Sequence, residues 1–144
     1  MKARIAFRTI LMMFVFTFQA IAGGKVELQK YFNDTAIKVK ATNNTSEKRE
    51  ILNESFNKMF NALDIVRSLP LTSEKDCISI DHFKTKLQDK QDELIGRNGF
   101  TRVSDGQLNN FSDYVVQDTE QAEVVITISI LALVLIVLLV LWVF

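Results

Sequence analysis

Cysteine, proline and histidine each occur once in this 144-residue chain, as Cys77, Pro70 and His82, and glycine occurs only five times. A lone cysteine excludes an intrachain disulfide framework and any cysteine-rich metal site. With no second His or Cys pair at ligand spacing, His82, between Asp81 and Phe83, reads as a surface residue of a helix. There is no Gly-rich phosphate loop, no Ser, His and Asp set in a recognisable motif, and no calcium-loop spacing around Asp105-Gly106. Asp89, Asp92 and Glu93 alternate with Lys86 and Lys90 in the manner of a solvated, ion-paired helix face. No catalytic residue, metal ligand or cofactor-binding residue is identified, and a non-enzymatic function is expected.

Charge is missing from one long stretch. Residues 124–144 contain no Asp, Glu, Lys or Arg and no Pro or Gly, and seventeen of the twenty-one are Leu, Ile, Val or Phe. As a helix the stretch reaches roughly 30 Å, the thickness of a hydrocarbon core. Membrane insertion of those residues is favoured by about 5 to 10 kcal/mol as an upper bound, because the sum treats every position as central. Residues 124–144 are therefore expected to be a transmembrane helix in contact with lipid, Trp142 and Phe144 lying either at the headgroup boundary or among the lipid tails. Glycine is absent from the run, and Ser129 with Ala132 lacks the four-residue spacing of a close helix pair, so tight dimerisation through the span is not indicated.

The opposite end sets the orientation. Lys2, Arg4 and Arg8 precede an apolar stretch over residues 9–18, and Ala20-Ile21-Ala22 places small residues where a signal peptidase reads. Residues 1–22 are read as a signal peptide, with an uncleaved signal anchor as the alternative. Five acids and no base between Asp105 and Glu123 agree with an extracytoplasmic flank before the span. Residues 23–123 then lie outside the cytoplasm, on the periplasmic side of the inner membrane in a bacterium, and the C-terminus sits at the cytoplasmic face. That domain holds seventeen acids against fourteen bases, a net charge of −3, which disfavours nucleic-acid binding.

Between the two ends the apolar positions repeat at three and four residues, a helical period, and an all-α fold is expected: a small extracytoplasmic helical hairpin or bundle followed by one C-terminal transmembrane helix. A first helix is predicted over 26–40, with Leu28, Tyr31 or Phe32, Ala36 and Val39 on one face. The second, over 45–68, carries Leu52, Phe56, Met59, Leu63 and Val66, widened by Ile51, Phe60 and Ile65; Asn44 and Glu47 supply its start and Pro70 its stop. The third, over 73–95, has Ile80, Phe83, Leu87 and Leu94, but polar Lys90 and Gln91 stand where another apolar turn belongs. A short connection makes the second and third antiparallel neighbours. Gly96 and Asn98-Gly99 close the third. Ser104 and Gln107 are read as the cap of a fourth, over 105–123, with Leu108, Phe111, Val115, Asp118 and Ala122 on one face. With no breaker after Gln107, the fourth helix and the span are expected to form one continuous rod.

Function is less legible than location. The chain reads as a single-pass membrane-anchored helical interaction module, an accessory or scaffold subunit of a membrane-associated complex. Ile51, Phe60 and Phe100 are the candidate contacts with a protein partner; their alternative role is to complete the core. Cys77 either bridges two chains, giving a homodimer, or stays a small buried hydrophobe. Asn33, Asn43, Asn44, Asn53 and Asn110 head Asn-x-Ser/Thr patterns, glycan acceptors only in a eukaryotic host. An alternative reading is a lipid-anchored or glycosylated surface protein whose apolar tail is an attachment signal, although Ser104-Asp105-Gly106 leaves a spacer of seventeen residues.

Overall fold

In the computed structural model, residues 24–70, 72–121 and 128–143 are described, and everything in them is helix, turn or loop. The signal peptide read over 1–22 lies outside them. Five helices follow one another: α1 (Gly24–Ala41), α2 (Thr45–Ser68), α3 (Glu74–Ile95), α4 (Leu108–Gln121, entered through a 3₁₀ turn at Asp105–Gln107) and α5 (Ile128–Val143). The expected all-helical architecture holds, and the α2 boundaries coincide with those read from the sequence.

Local chemistry accounts for where the helices start and stop. Asn44 Oδ1 accepts from the amides of Ser46 and Glu47, satisfying two donors that α2 cannot pair internally. Glu47 does not reach back to the Asn44 amide; its carboxylate accepts from Thr42 Oγ1 at 2.6 Å, and that hydroxyl accepts from the Asn44 N–H instead. Leu69, ahead of Pro70, is extended at φ −69°, ψ 139° and ends α2. Ser73 caps α3 through the Asp76 amide, and Gly96 closes it in the left-handed region at φ 72°. Ser104 precedes the 3₁₀ turn but its side chain makes no capping bond, because that tighter turn is closed by the Gln107 amide on the Ser104 carbonyl at 3.0 Å.

The packing centre is α2, which touches each of the other four helices. Leu52, Phe56, Met59, Leu63 and Val66 are buried as the spacing demands, against Leu28, Phe32 and Val39 of α1, Ile80, Phe83, Leu87 and Leu94 of α3, and Leu108, Phe111 and Val115 of α4. Ile65, expected to widen the stripe, is instead exposed, because the apolar arc of α2 is already filled by its neighbours. In α4 the core positions are completed by Ser112 and Thr119, whose hydroxyls donate to the Asn109 and Val115 carbonyls, while Asp118 turns to the bundle edge beside Lys90. Ala122 lies outside the described residues.

Cross-helix pairs fix the directions. Arg67 with Asp81, Lys84 with Asp64, and Gln91 with Asn57 show that α2 and α3 run antiparallel. Arg67 reaches both carboxylate oxygens of Asp81 at 2.7 and 2.9 Å, and those bonds hold the Asp81 carboxyl below the usual carboxylate range. The missing apolar turn of α3 is explained by Gln91, buried with its amide donating to Asn53 and Asn57 at 2.8 Å each. A satisfied polar rung of this kind favours one register of the pair.

On the α1–α2 seam, Tyr31 donates its phenol to the Ser55 carbonyl at 3.0 Å, and Thr35 and Ser55 share a hydroxyl hydrogen bond, also at 3.0 Å. Burial pushes the Tyr31 phenol above its ordinary value. Its contribution to stability is therefore fully present below about pH 10, where the unfolded phenol is still protonated, and is lost as pH rises from there through the raised folded value. We expect Tyr31→Phe to melt below the unsubstituted chain at pH 8, by about 1 kcal/mol for one hydrogen bond, and the gap to narrow above pH 10. Thermal melts of both chains from pH 8 to 11 check this.

The described helices α4 and α5 do not lie along one continuous rod. Lys48 bonds Asn109 at 2.7 Å and Lys90 lies 3.8 Å from Asp118, so α4 runs beside α2 in the same direction, starting level with it. At about 1.5 Å per residue, a straight extension of α4 would pass the end of α2 just as residue 128 is reached. Instead α5 lies back along α1 and α2, with Val134 and Leu138 buried. Apolar surface on α2 gives that stripe of α5 cover which a projecting rod would not. No helix among the described residues is long and apolar enough to cross a membrane. Residues 124–127 and 144 of the expected span lie outside the described residues.

Candidate functional site

Between α2, α3 and the loop after α3 lies an open cleft of about 630 Å³. Helical spacing places its walls: Phe60 and Asp64 are four apart on α2, and Lys84, Gln88 and Asp92 are four apart on α3, so each set shares one face. The far side comes from the loop, where Gly96 at φ 72°, Asn98 at φ 52° and Gly99 at φ 86° curl the chain back toward the helix pair. That curl brings Asn98 and Phe100 to the cleft.

The loop is held at several points. Asn98 Nδ2 donates to Asp92 Oδ2 at 2.7 Å, and the Arg97 amide to the Asp92 carbonyl at 2.8 Å. Arg49, from α2, donates to the Leu94 carbonyl at 2.5 Å, the Val103 carbonyl at 2.9 Å and the Asp105 carboxylate at 2.8 Å, clamping both ends of the loop to the bundle. Phe100 is thus presented on a fixed backbone with 41% of its surface exposed. Phe60 is half-buried and packs on the core.

Charge in the cleft is uneven. Asp64 and Lys84 pair with one another. Asp92, read from the sequence as part of a solvated face, is only 2% exposed, and its two oxygens accept from Gln88 Nε2 at 3.0 Å and Asn98 Nδ2 at 2.7 Å. Both donors are neutral amides. Asp89 stays exposed, while Lys90 turns away to lie 4.0 Å from the Tyr114 ring centre and 3.8 Å from Asp118. The expected alternating face is therefore divided between two surfaces of α3.

Of the candidate contacts, Phe60 and Phe100 line this one cleft, whereas Ile51 packs half-buried against the core elsewhere. Gln88 was not singled out by sequence reasoning, and Asp92 and Asn98 were read only as part of a solvated face and of a turn; the four-residue spacing of Gln88 and Asp92 beside an Asn-Gly turn was the signal available. Cys77 is a half-buried free thiol, its Sγ 3.8 Å from the Arg67 carbonyl oxygen. Asn33, Asn43, Asn44 and Asn110 are exposed; Asn44 is engaged as the α2 cap, and Asn53 is half-buried and bonded to Gln91. His82 is exposed on α3. Among the described residues no group of three or more His, Cys, Asp or Glu is placed to hold a metal ion.

A second concavity, of about 350 Å³, lies beside Arg49, Arg102 and Asp105. Arg49 is spent on the loop carbonyls and Asp105, and with Glu50 and Asp105 against Arg49 and Arg102 the concavity carries no net formal charge. The chain matches no protein-family model, and no curated protein or solved structure matches it.

Proposed function

We propose that the chain is a non-enzymatic, single-pass membrane-anchored interaction module, an accessory or scaffold subunit of a membrane-associated complex. Its four-helix bundle stands outside the cytoplasm, and residues 124–144 hold it to the membrane. One observation supports this most strongly: five consecutive residues of α5, Leu139, Val140, Leu141, Trp142 and Val143, stay exposed, Trp142 at 75% and Val143 at 60%. A contiguous apolar surface of that kind marks contact with lipid or with another protein.

Undocking α5 re-exposes Val134 and Leu138 among its described side chains, at about 1.5 to 3 kcal/mol each. Insertion of residues 124–144 is worth about 5 to 10 kcal/mol as an upper bound. Among the α5 side chains described, Val134 and Leu138 are the two fully inside the core, and α1 to α4 keep a continuous apolar centre without them. A bundle of this design presents its cleft close to the membrane surface, which suits a subunit that positions another protein.

Mild crosslinking of the full chain in its native membrane tests the module reading. A discrete, stoichiometric product containing a second protein is expected; recovery of the chain alone at every crosslinker concentration contradicts the reading. Release of the bundle by a phosphatidylinositol-specific phospholipase would instead assign the tail to an attachment signal for a lipid anchor.

A further inference from the structure

We infer that the Phe60–Phe100 cleft is a partner-binding site and that its occupant is a basic segment of another protein, one Lys or Arg of which lies between the two rings with its charge toward Asp89 and Asp92. This rests on the interaction-module reading above and names the chemistry of the partner.

Three observations converge on a cation. Asp92 is a carboxylate at 2% exposure whose donors are two neutral amides, and no Lys, Arg or His pairs with it among the described residues. Every buried side-chain polar atom there has a hydrogen-bond partner, so the cleft lacks a counter-charge and not a hydrogen bond. A desolvated carboxylate without a cation is costly, and an arriving cation recovers part of that cost. Asp89 makes no ion pair among the described residues, and Lys84 is already taken by Asp64, so the cleft carries a formal charge of −2 from three Asp and one Lys.

The rings supply the second element. Phe60 and Phe100 both line the cleft, one from α2 and one from the clamped loop. Aromatic faces attract Lys and Arg, and the methylene stem of either side chain packs on them. Because Arg49 and Asn98 already fix the loop, little conformational freedom is lost when a ligand arrives. Size is the third element: about 630 Å³ admits one long side chain with its flanking backbone. Other occupants fit less well. A wholly apolar helix would desolvate Asp89, and a second copy of a domain with net charge −3 would meet like charge.

The test uses the full chain in an uncharged maltoside micelle and a fluorescent, end-blocked peptide of alternating Leu and Arg. Its control replaces each Arg by citrulline, the neutral isostere. Saturable binding of the Arg peptide is expected, weakened about tenfold or more by citrulline and by raising salt from low to high concentration. Phe100→Ala should weaken it about fivefold and Asp89→Asn about threefold. Both residues are exposed, so an unchanged melting curve verifies that each variant is folded. Equal binding of the citrulline peptide, wild-type affinity in both variants, or no saturable binding at all overturns the inference. Crosslinking in native membranes separates this failure from that of the module reading. Loss of the heteromeric product in the Phe100→Ala/Asp89→Asn double variant supports the cleft. Persistence of that product overturns the cleft while leaving the module standing, and absence of any product from the unsubstituted chain overturns both.

Discussion

Phe56→Ala is expected to destabilise the bundle by about 3 to 5 kcal/mol, the usual range for truncating a buried aromatic. Phe56 is 1% exposed, sits on the helix that every other helix touches, and has the Phe32 ring 6.2 Å away, centre to centre. Removing it opens a cavity where α1 and α2 meet, and neither helix can close in, because Leu52, Met59, Leu63 and Val39 already hold them apart. For a domain of about 100 residues this is a third or more of a typical total stability, and a fall in Tm of about 15 °C or more follows. Thermal unfolding of the full chain in micelles measures it, with Phe100→Ala as the exposed aromatic whose Tm stays within a degree or two. A loss below about 1 kcal/mol at Phe56 would mean that the α1–α2 seam is not packed as described.

Gly96→Ala is expected to cost about 2 to 4 kcal/mol, from two separable causes. Its φ of 72° is strained for any residue with a Cβ, and that Cβ would stand 2.7 Å from Arg102 Cβ and 3.1 Å from the Arg102 Cα and backbone nitrogen. Neither neighbour is the movable end of a side chain. Gly99, at φ 86° with open space around it, provides the comparison: Gly99→Ala keeps the backbone strain and lacks the clash, so it should cost only about 1 to 2 kcal/mol. Gly106→Ala, in open space without a positive φ, should be neutral. Denaturant titration of the three variants gives the order. Equal losses at 96 and 99 would show that the loop after α3 does not press on Gly96. Since that loop carries Phe100, Gly96→Ala should also weaken occupancy of the cleft.

Helix existence and boundaries were legible because they are governed by single residues with strong local preferences. Asn44 supplies its acceptor to two amides, Pro70 excludes helical conformation at Leu69, and Gly96 adopts a left-handed conformation, all without help from distant contacts. The buried stripes of α1, α2 and α3 were legible from spacing for the same reason. What the spacing could not reveal depends on tertiary partners. Gln91 looks like a break in an apolar stripe until Asn53 and Asn57 are found opposite it. Asp118 looks like a core position until Ser112 and Thr119, bonded to their own helix, are seen to take the interior.

The cleft was half legible. Phe60 and Phe100 stood out as aromatic residues beyond the needs of a small core, yet nothing in a linear pattern places residues forty apart in one cleft. Asp92 was hidden among neighbouring charges, since an acid flanked by lysines on a helix is usually solvated; only the fold of the Asn98-Gly99 turn over it distinguishes it from Asp89. The return of α5 onto α1 and α2 was not legible at all. An unbroken apolar run specifies that its surface must leave water, and does not specify whether lipid or protein receives it.

Lipid as the final environment of residues 124–144 is the claim on which the functional account stands. Extraction of native membranes with alkaline carbonate, which strips peripheral proteins and leaves spanning ones, measures it directly. The full chain should remain in the pellet and a chain lacking 124–144 should appear in the supernatant. Quantitative release of the full chain into the supernatant would contradict the account and leave α5 as part of the bundle alone.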